Sequence, residues 1–210
     1  MPELSQLVRE SADIADIEKH LDTLSPSARK AEVEALKPSD LKKMYQLADG
    51  RHVEAEHFVP QDLPAGQEVV HHGRNSLPVI GGTFRKRFAR LPDDPALIGG
   101  FNDNDGFVAS VGWFTGPGYF VVRPRGCDNP DGRADTKQLF VNYFEVPQSP
   151  QPPVQGWPAV AANNGLTRGA SFGQMCDYMW RVSSHVSIGE AWKKGKNLRQ
   201  YFALVREDPA

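Results

Sequence analysis

His71 and His72 are suited by type to chemistry near neutral pH. An imidazole changes charge close to pH 6.5, so it can serve as a general base or hold a ligand. Both stand in His71-His72-Gly73-Arg74-Asn75-Ser76, the densest polar cluster of the strand-rich part of the chain. Adjacent residues of a strand point to opposite faces. One histidine therefore faces the interior and the other faces solvent, and only the inward one can meet an enclosed molecule. The competing reading is a strand end that runs into a turn and exposes its polar groups.

Lys86 is the second candidate. In Phe84-Arg85-Lys86-Arg87-Phe88-Ala89-Arg90 the strand period puts Lys86 on the face of Phe84 and Phe88, opposite Arg85 and Arg87. An inward Lys86 could meet an acidic ligand. The arginines read as a solvated face or a guarded edge. Mixed cations and aromatics also occur in single-strand binders. Yet Lys+Arg is 24 against Asp+Glu 26, a net charge of -2. No field of that size draws the chain to nucleic acid or to an anionic membrane, and neither partner is expected.

The remaining motifs are weaker. Gly169-Ala170-Ser171-Phe172-Gly173 matches G-x-S-x-G but lacks the preceding strand that a nucleophile elbow needs, so Ser171 reads as the cap of a helix over 171–182. Asn102-Asp103-Asn104-Asp105-Gly106 reads as a turn, because a calcium loop aligned on Gly106 has Phe101 and Gly112 at its acidic positions. No HxH, HExxH or CxxC spacing occurs, and neither phosphate-binding glycine loop is present, so no metal and no cofactor is expected. Cys127 and Cys176 read as free thiols in a reducing compartment. The N-terminus has no basic and apolar leader, and no apolar run approaches the ~20 residues of a membrane helix. These features predict a soluble, cytoplasmic protein.

The elements that must position these residues divide at Gly50. Residues 1–49 contain no glycine and one aromatic, Tyr45; all 19 glycines lie from Gly50 onward. The first part predicts three short helices: one carrying Ile14, Ile17, Leu21 and Leu24, one capped by Ser25 before Pro26, and one capped by Ser39 or Asp40. The chain thus divides into a helical N-terminal appendage, 1–50, and a β-rich domain, 51–210. Strands are expected over 68–72, 83–91, 107–114, 119–123 and 139–146. Five prolines in residues 147–158 require a loop. Residues 185–206 fit a hairpin better than a helix, since Gly189 and Gly195 would each cost a helix about 1 kcal/mol. The expected fold is α+β: short N-terminal helices, then a mainly antiparallel β-barrel or strongly curved sheet, with one late helix.

Aromatic density without catalytic signatures predicts a non-enzymatic binding protein for a small apolar or amphipathic ligand held in a barrel cavity. Trp113, Tyr119, Phe120, Tyr143 and Trp192 would line it, with Lys86 or Arg74 for an acidic head group. Two alternatives stand beside this: an enzyme using His71 or His72 as general base, and a protein-interaction module acting through the N-terminal helices.

Overall fold

The computed structural model describes residues 3–77, 82–103, 117–133, 137–164 and 172–208. Four helices come first: α1 Leu4–Arg9, α2 Ile14–Thr23, α3 Pro26–Glu34 and α4 Pro38–Leu47. Eight strands follow: β1 Val69–Asn75, β2 Thr83–Leu91, β3 Asp94–Asp103, β4 Gly118–Arg123, β5 Leu139–Asn142, β6 Met175–Arg181, β7 Val186–Lys193 and β8 Lys196–Arg206. Each pairs antiparallel with the next, and β1 also pairs with β8, so the sheet closes into a barrel. The expected α+β barrel is the fold observed.

Local chemistry starts the helices. The Asp13 carboxylate accepts from the Ala15 amide, and the Ser25 hydroxyl accepts from the Ala28 amide. Lys37, rather than Ser39 or Asp40, is the N-cap of α4; Asp40 reaches back and accepts from the Lys37 amide at 3.1 Å. Pro38 ends the preceding segment and also opens α4, because its fixed φ suits a first helical turn. Helix α1 was not among the expected elements.

The apolar stripes of these helices are buried against the barrel. Leu4, Val8, Ile17, Leu21, Val33, Leu36, Leu41 and Met44 form one cluster with Trp180, Val182, Val186, Ile188, Ala203 and Val205 from the outer wall near β6, β7 and β8. Strand β6 is buried on both faces, its outer Trp180 by the helices and its outer Cys176 and Tyr178 by Phe140 and Trp192. That double burial erases the two-residue alternation, which is why Met175–Arg181 was expected as a helix and is instead a strand. Residues 185–206 do form a hairpin, turning at Lys194 and Gly195, both with positive φ. Strand β3 was not expected; its Gly99, Gly100 and Pro95 look like turn residues, and Asn102-Asp103 is its last pair rather than a turn. The strand expected over 107–114, together with Gly112, Trp113 and Ser171, lies outside the described residues.

We propose the division at Gly50 as one of architecture, a helical layer and a barrel sharing a core. A chain beginning at Arg51 would leave Trp180, Val186 and Ile188 facing water. It is expected to aggregate or to melt well below the full chain. Within the intact protein, Leu36→Ala should cost about 2–5 kcal/mol, the usual range for a large-to-small change in a packed core. Circular dichroism melts of both proteins check this.

Candidate functional site

The register of the barrel assembles a polar cluster inside it. His71 lies beside Lys86 across β1 and β2, Lys86 beside Asn102 across β2 and β3, and Asn102 beside Gly118 across β3 and β4. Asp177 enters from β6, between Val141 and Ala191. Lys86 is 2% exposed. Its Nζ donates to Asp177 Oδ2 at 2.5 Å and to Tyr143 Oη at 2.8 Å. The Tyr143 hydroxyl donates to Asp177 Oδ2 at 3.2 Å and accepts from Asn102 Nδ2 at 2.9 Å. Phe202, Tyr143 and Phe120 surround the ammonium at 4.7, 5.2 and 5.4 Å from their ring centroids. Among the described residues, two atoms of this cluster are buried with no hydrogen-bond partner, His71 Nδ1 and Asn102 Oδ1, and Asn102 Oδ1 is the one beside Tyr143.

Burial lowers the Lys86 ammonium from its usual range, and the Asp177 carboxylate opposes that shift. Burial raises the Tyr143 phenol well above its usual value, and Asp177 adds to the rise. Tyr143 is therefore a neutral donor and acceptor here, held between a cation and an anion.

Three half-buried apolar side chains lie over this cluster. Phe172 stacks on Tyr143 at 5.7 Å with 14° between the rings. Its ring passes so close to Gly118 that a Cβ there would come within 2.5 Å of it. Phe84 meets Phe202 edge-on at 6.0 Å, and Met175 packs on the same interior cluster. This end, where β1 turns toward β2 and β7 toward β8, is called the Lys86 end. At the other end Val53, Phe58 and Val59 fill the barrel from below β1.

His71 lies between the two ends, fully buried, with its ring 4.7 Å from Phe88 and its Nε2 3.0 Å from the Phe58 carbonyl. Burial pushes its pKa down to about 3; Arg206, His72 and Lys86 push the same way, and the Phe58 carbonyl opposes. Buried His57, 6.5 Å away, is lowered as well by burial and by His71. His72 points outward and pairs with Glu207. The two adjacent histidines thus take opposite faces as the strand period requires, but the partner of the inward one is a backbone carbonyl, not a carboxylate that would tune it as a base.

The other candidates separate the same way. Lys86 and Tyr143 come together inside, with Phe120. Tyr119 points outward, packs on Phe101 at 5.4 Å and donates its hydroxyl to the Pro158 carbonyl. Trp192 lies outside against Tyr178 at 5.9 Å and donates Nε1 to Glu190. Arg74 is outside too, its Nε donating to the Leu36 carbonyl and tying β1 to the helical layer. The acid that Lys86 meets is Asp177 of the same chain. Asp177, Asn102 and Phe172 were not anticipated. A signal existed for the first: a lone carboxylate in the apolar run 175–182, matched to a lone inward cation between Phe84 and Phe88. Among the described residues no group of three or more metal-type side chains gathers.

Two outcomes follow. Asp177→Ala leaves the Lys86 ammonium buried and unpaired and should cost about 3–5 kcal/mol, while the double change Lys86→Met with Asp177→Leu should recover most of it. Denaturant titrations measure both. His71 has a folded pKa near 3 against about 6.5 unfolded, so the unfolded chain binds the extra proton first. Its contribution is complete above pH 6.5 and is lost as pH falls from 6.5 toward 3. His71→Phe should reduce the slope of stability between pH 6.5 and 5 by up to about 1.4 kcal/mol per pH unit. An unchanged slope would place the pH sensitivity elsewhere.

Comparison with protein families, with curated proteins and with solved structures found no match for this chain.

Proposed function

We propose that the protein is a non-enzymatic binding protein that takes a small amphipathic molecule at the Lys86 end of the barrel. The observation that carries this is the pairing of the partnerless Asn102 Oδ1 with an apolar rim of Phe84, Phe172 and Met175. Small-molecule sites combine apolar walls with a few placed polar atoms. The ligand best matched offers a hydrogen-bond donor to Asn102 and an aromatic or aliphatic body to the rim. An acidic head group is poorly matched, because Asp177 already takes the Lys86 ammonium.

The cost of the buried pair supports this reading. A buried ion pair seldom outperforms apolar side chains of the same volume in stability. Its presence under the rim, rather than a further Leu or Phe, is easier to account for if it fixes Tyr143 and Asn102 for recognition. The helices offer less as a partner-binding module, since their apolar stripes are buried against the barrel. Arg85 and Arg87, paired outside with Asp103 and Glu68, suit a barrel wall that faces water. No helix among the described residues is long and apolar enough to cross a membrane. The free thiols Cys127 and Cys176 fit a reducing, cytoplasmic setting.

The test uses N-phenyl-1-naphthylamine, a neutral fluorescent molecule with two aromatic bodies and one N–H donor. Saturable enhancement at one site per chain is expected. Asn102→Leu should weaken binding about tenfold, equal to roughly 1.4 kcal/mol, and Phe172→Arg should abolish it. No saturable signal, or full binding by a folded Phe172→Arg protein, would sink the proposal.

A further inference from the structure

A concave site lies outside the barrel, at the end opposite Lys86. A cleft of about 360 Å³ opens between the β2–β3 turn and the proline-rich loop, walled by Leu91, Leu97, Pro92, Pro147 and Pro153 and edged by Asp93 and Asp94. The volume falls in the range of small-molecule sites. No lysine, arginine or histidine is among its lining residues.

The cleft is built rather than incidental. The β2–β3 pairing shifts register between Arg90 and Leu91, so the chain bulges at residues 95–97 and carries Leu97 into the wall. Bulges of this kind gather at barrel rims and beside functional sites. The facing loop is pinned on both sides. Pro147 approaches β3 so closely that a Cβ on Gly99 would stand 3.2 Å from its ring, and the Pro153 carbonyl lies 3.3 Å from the corresponding position on Gly66. Farther along, the Trp157 indole donates to Glu68 and Tyr119 donates to the Pro158 carbonyl. Prolines hold φ fixed, so walls of this composition lose little freedom when a ligand enters.

The charge at the edge decides the occupant. Among the described residues the Asp94 carboxylate accepts from the Ala96 amide, and the Asp93 carboxylate has no hydrogen bond or ion pair. We infer that this cleft binds a small organic cation with an aromatic or aliphatic body, the body lying on the proline and leucine walls and the cation beside Asp93 and Asp94. The site is independent of the one at the Lys86 end, because no residue is shared.

Amide chemical-shift titration of the full chain tests it with tryptamine and with indole-3-acetate, which pair similar bodies with opposite charge. Tryptamine should shift residues 91–97 and 147–153 and bind at least tenfold tighter than indole-3-acetate. Asp93→Asn, an exposed change, should weaken tryptamine at least threefold, and Asp93→Lys should reverse the preference. Binding by Phe172→Arg protein should equal that of the parent. Equal affinity for the two indoles, shifts centred on Asn102 and Met175, or a preference that survives Asp93→Lys would each overturn the inference. So would a Lys-Trp-Lys peptide bound a hundredfold tighter than tryptamine, which would make the occupant a basic chain segment.

Discussion

Closure of the sheet governs everything else in this molecule. Strand β1 is hydrogen-bonded to β2 on one side and to β8 on the other, so the sheet has no free edge to protect. A closed antiparallel sheet leaves no freedom in which residues face inward. A slip of one position in β2 would expel Lys86 from the core and drive Arg85 and Arg87 into it. Both arginines are paired outside with Asp103, and Arg87 also with Glu68, so the register is held by charge on both surfaces of the wall.

The interior pair works on the same problem from within. Phe88, Phe120, Phe202 and Leu204 fill the interior by apolar packing and need no particular polar partner. Lys86 is not interchangeable: its ammonium needs both Asp177 on β6 and Tyr143 just beyond β5. Strands from opposite sides of the barrel are thereby fixed against each other by groups that tolerate no substitute partner. Part of the cost of burying them is offset by the Tyr143 hydroxyl, which accepts twice and donates once.

What the sequence revealed follows from which faces are wet. Strand β2 was legible because its outward side carries Arg85 and Arg87 and its inward side Phe84, Lys86 and Phe88. The α3 start was legible because Ser25 caps locally, and α2 because Ile14, Ile17, Leu21 and Leu24 recur at helical spacing. Strand β6 was not, because the core covers one of its faces while the helices cover Trp180 and the loop after β4 covers Tyr178 on the other, leaving no alternation to read. Strand β3 was hidden by its own glycines. At Gly100 an added Cβ would meet the Phe120 ring and the Arg87 carbonyl, so the absence of a side chain is a packing requirement of the barrel and not a turn. For the site, Lys86 could be named from its inward-facing position and Tyr143 from aromatic density, whereas Asp177 depended on knowing that β6 is a strand.

Aromatic density was the least informative signal, and the covers on the outer wall explain why. The helices cover β7, β8 and Trp180 at the end of β6. The proline-rich loop lays Trp157 on Phe101, Tyr119 and Ala89. The loop after β4 brings Arg133 over Tyr178 and Trp192, 4.2 and 4.8 Å from their ring centroids. Tyr119 and Trp192 thus belong to covering layers, each with its polar atom satisfied there, and contribute nothing to the interior. An eight-stranded barrel has room inside for only a limited set of large rings. A chain with this many aromatics must place the surplus outside, and each ring placed there needs a loop or helix to shelter it. The long connections that carry Arg133 and Trp157 are therefore part of the same solution as the closed sheet.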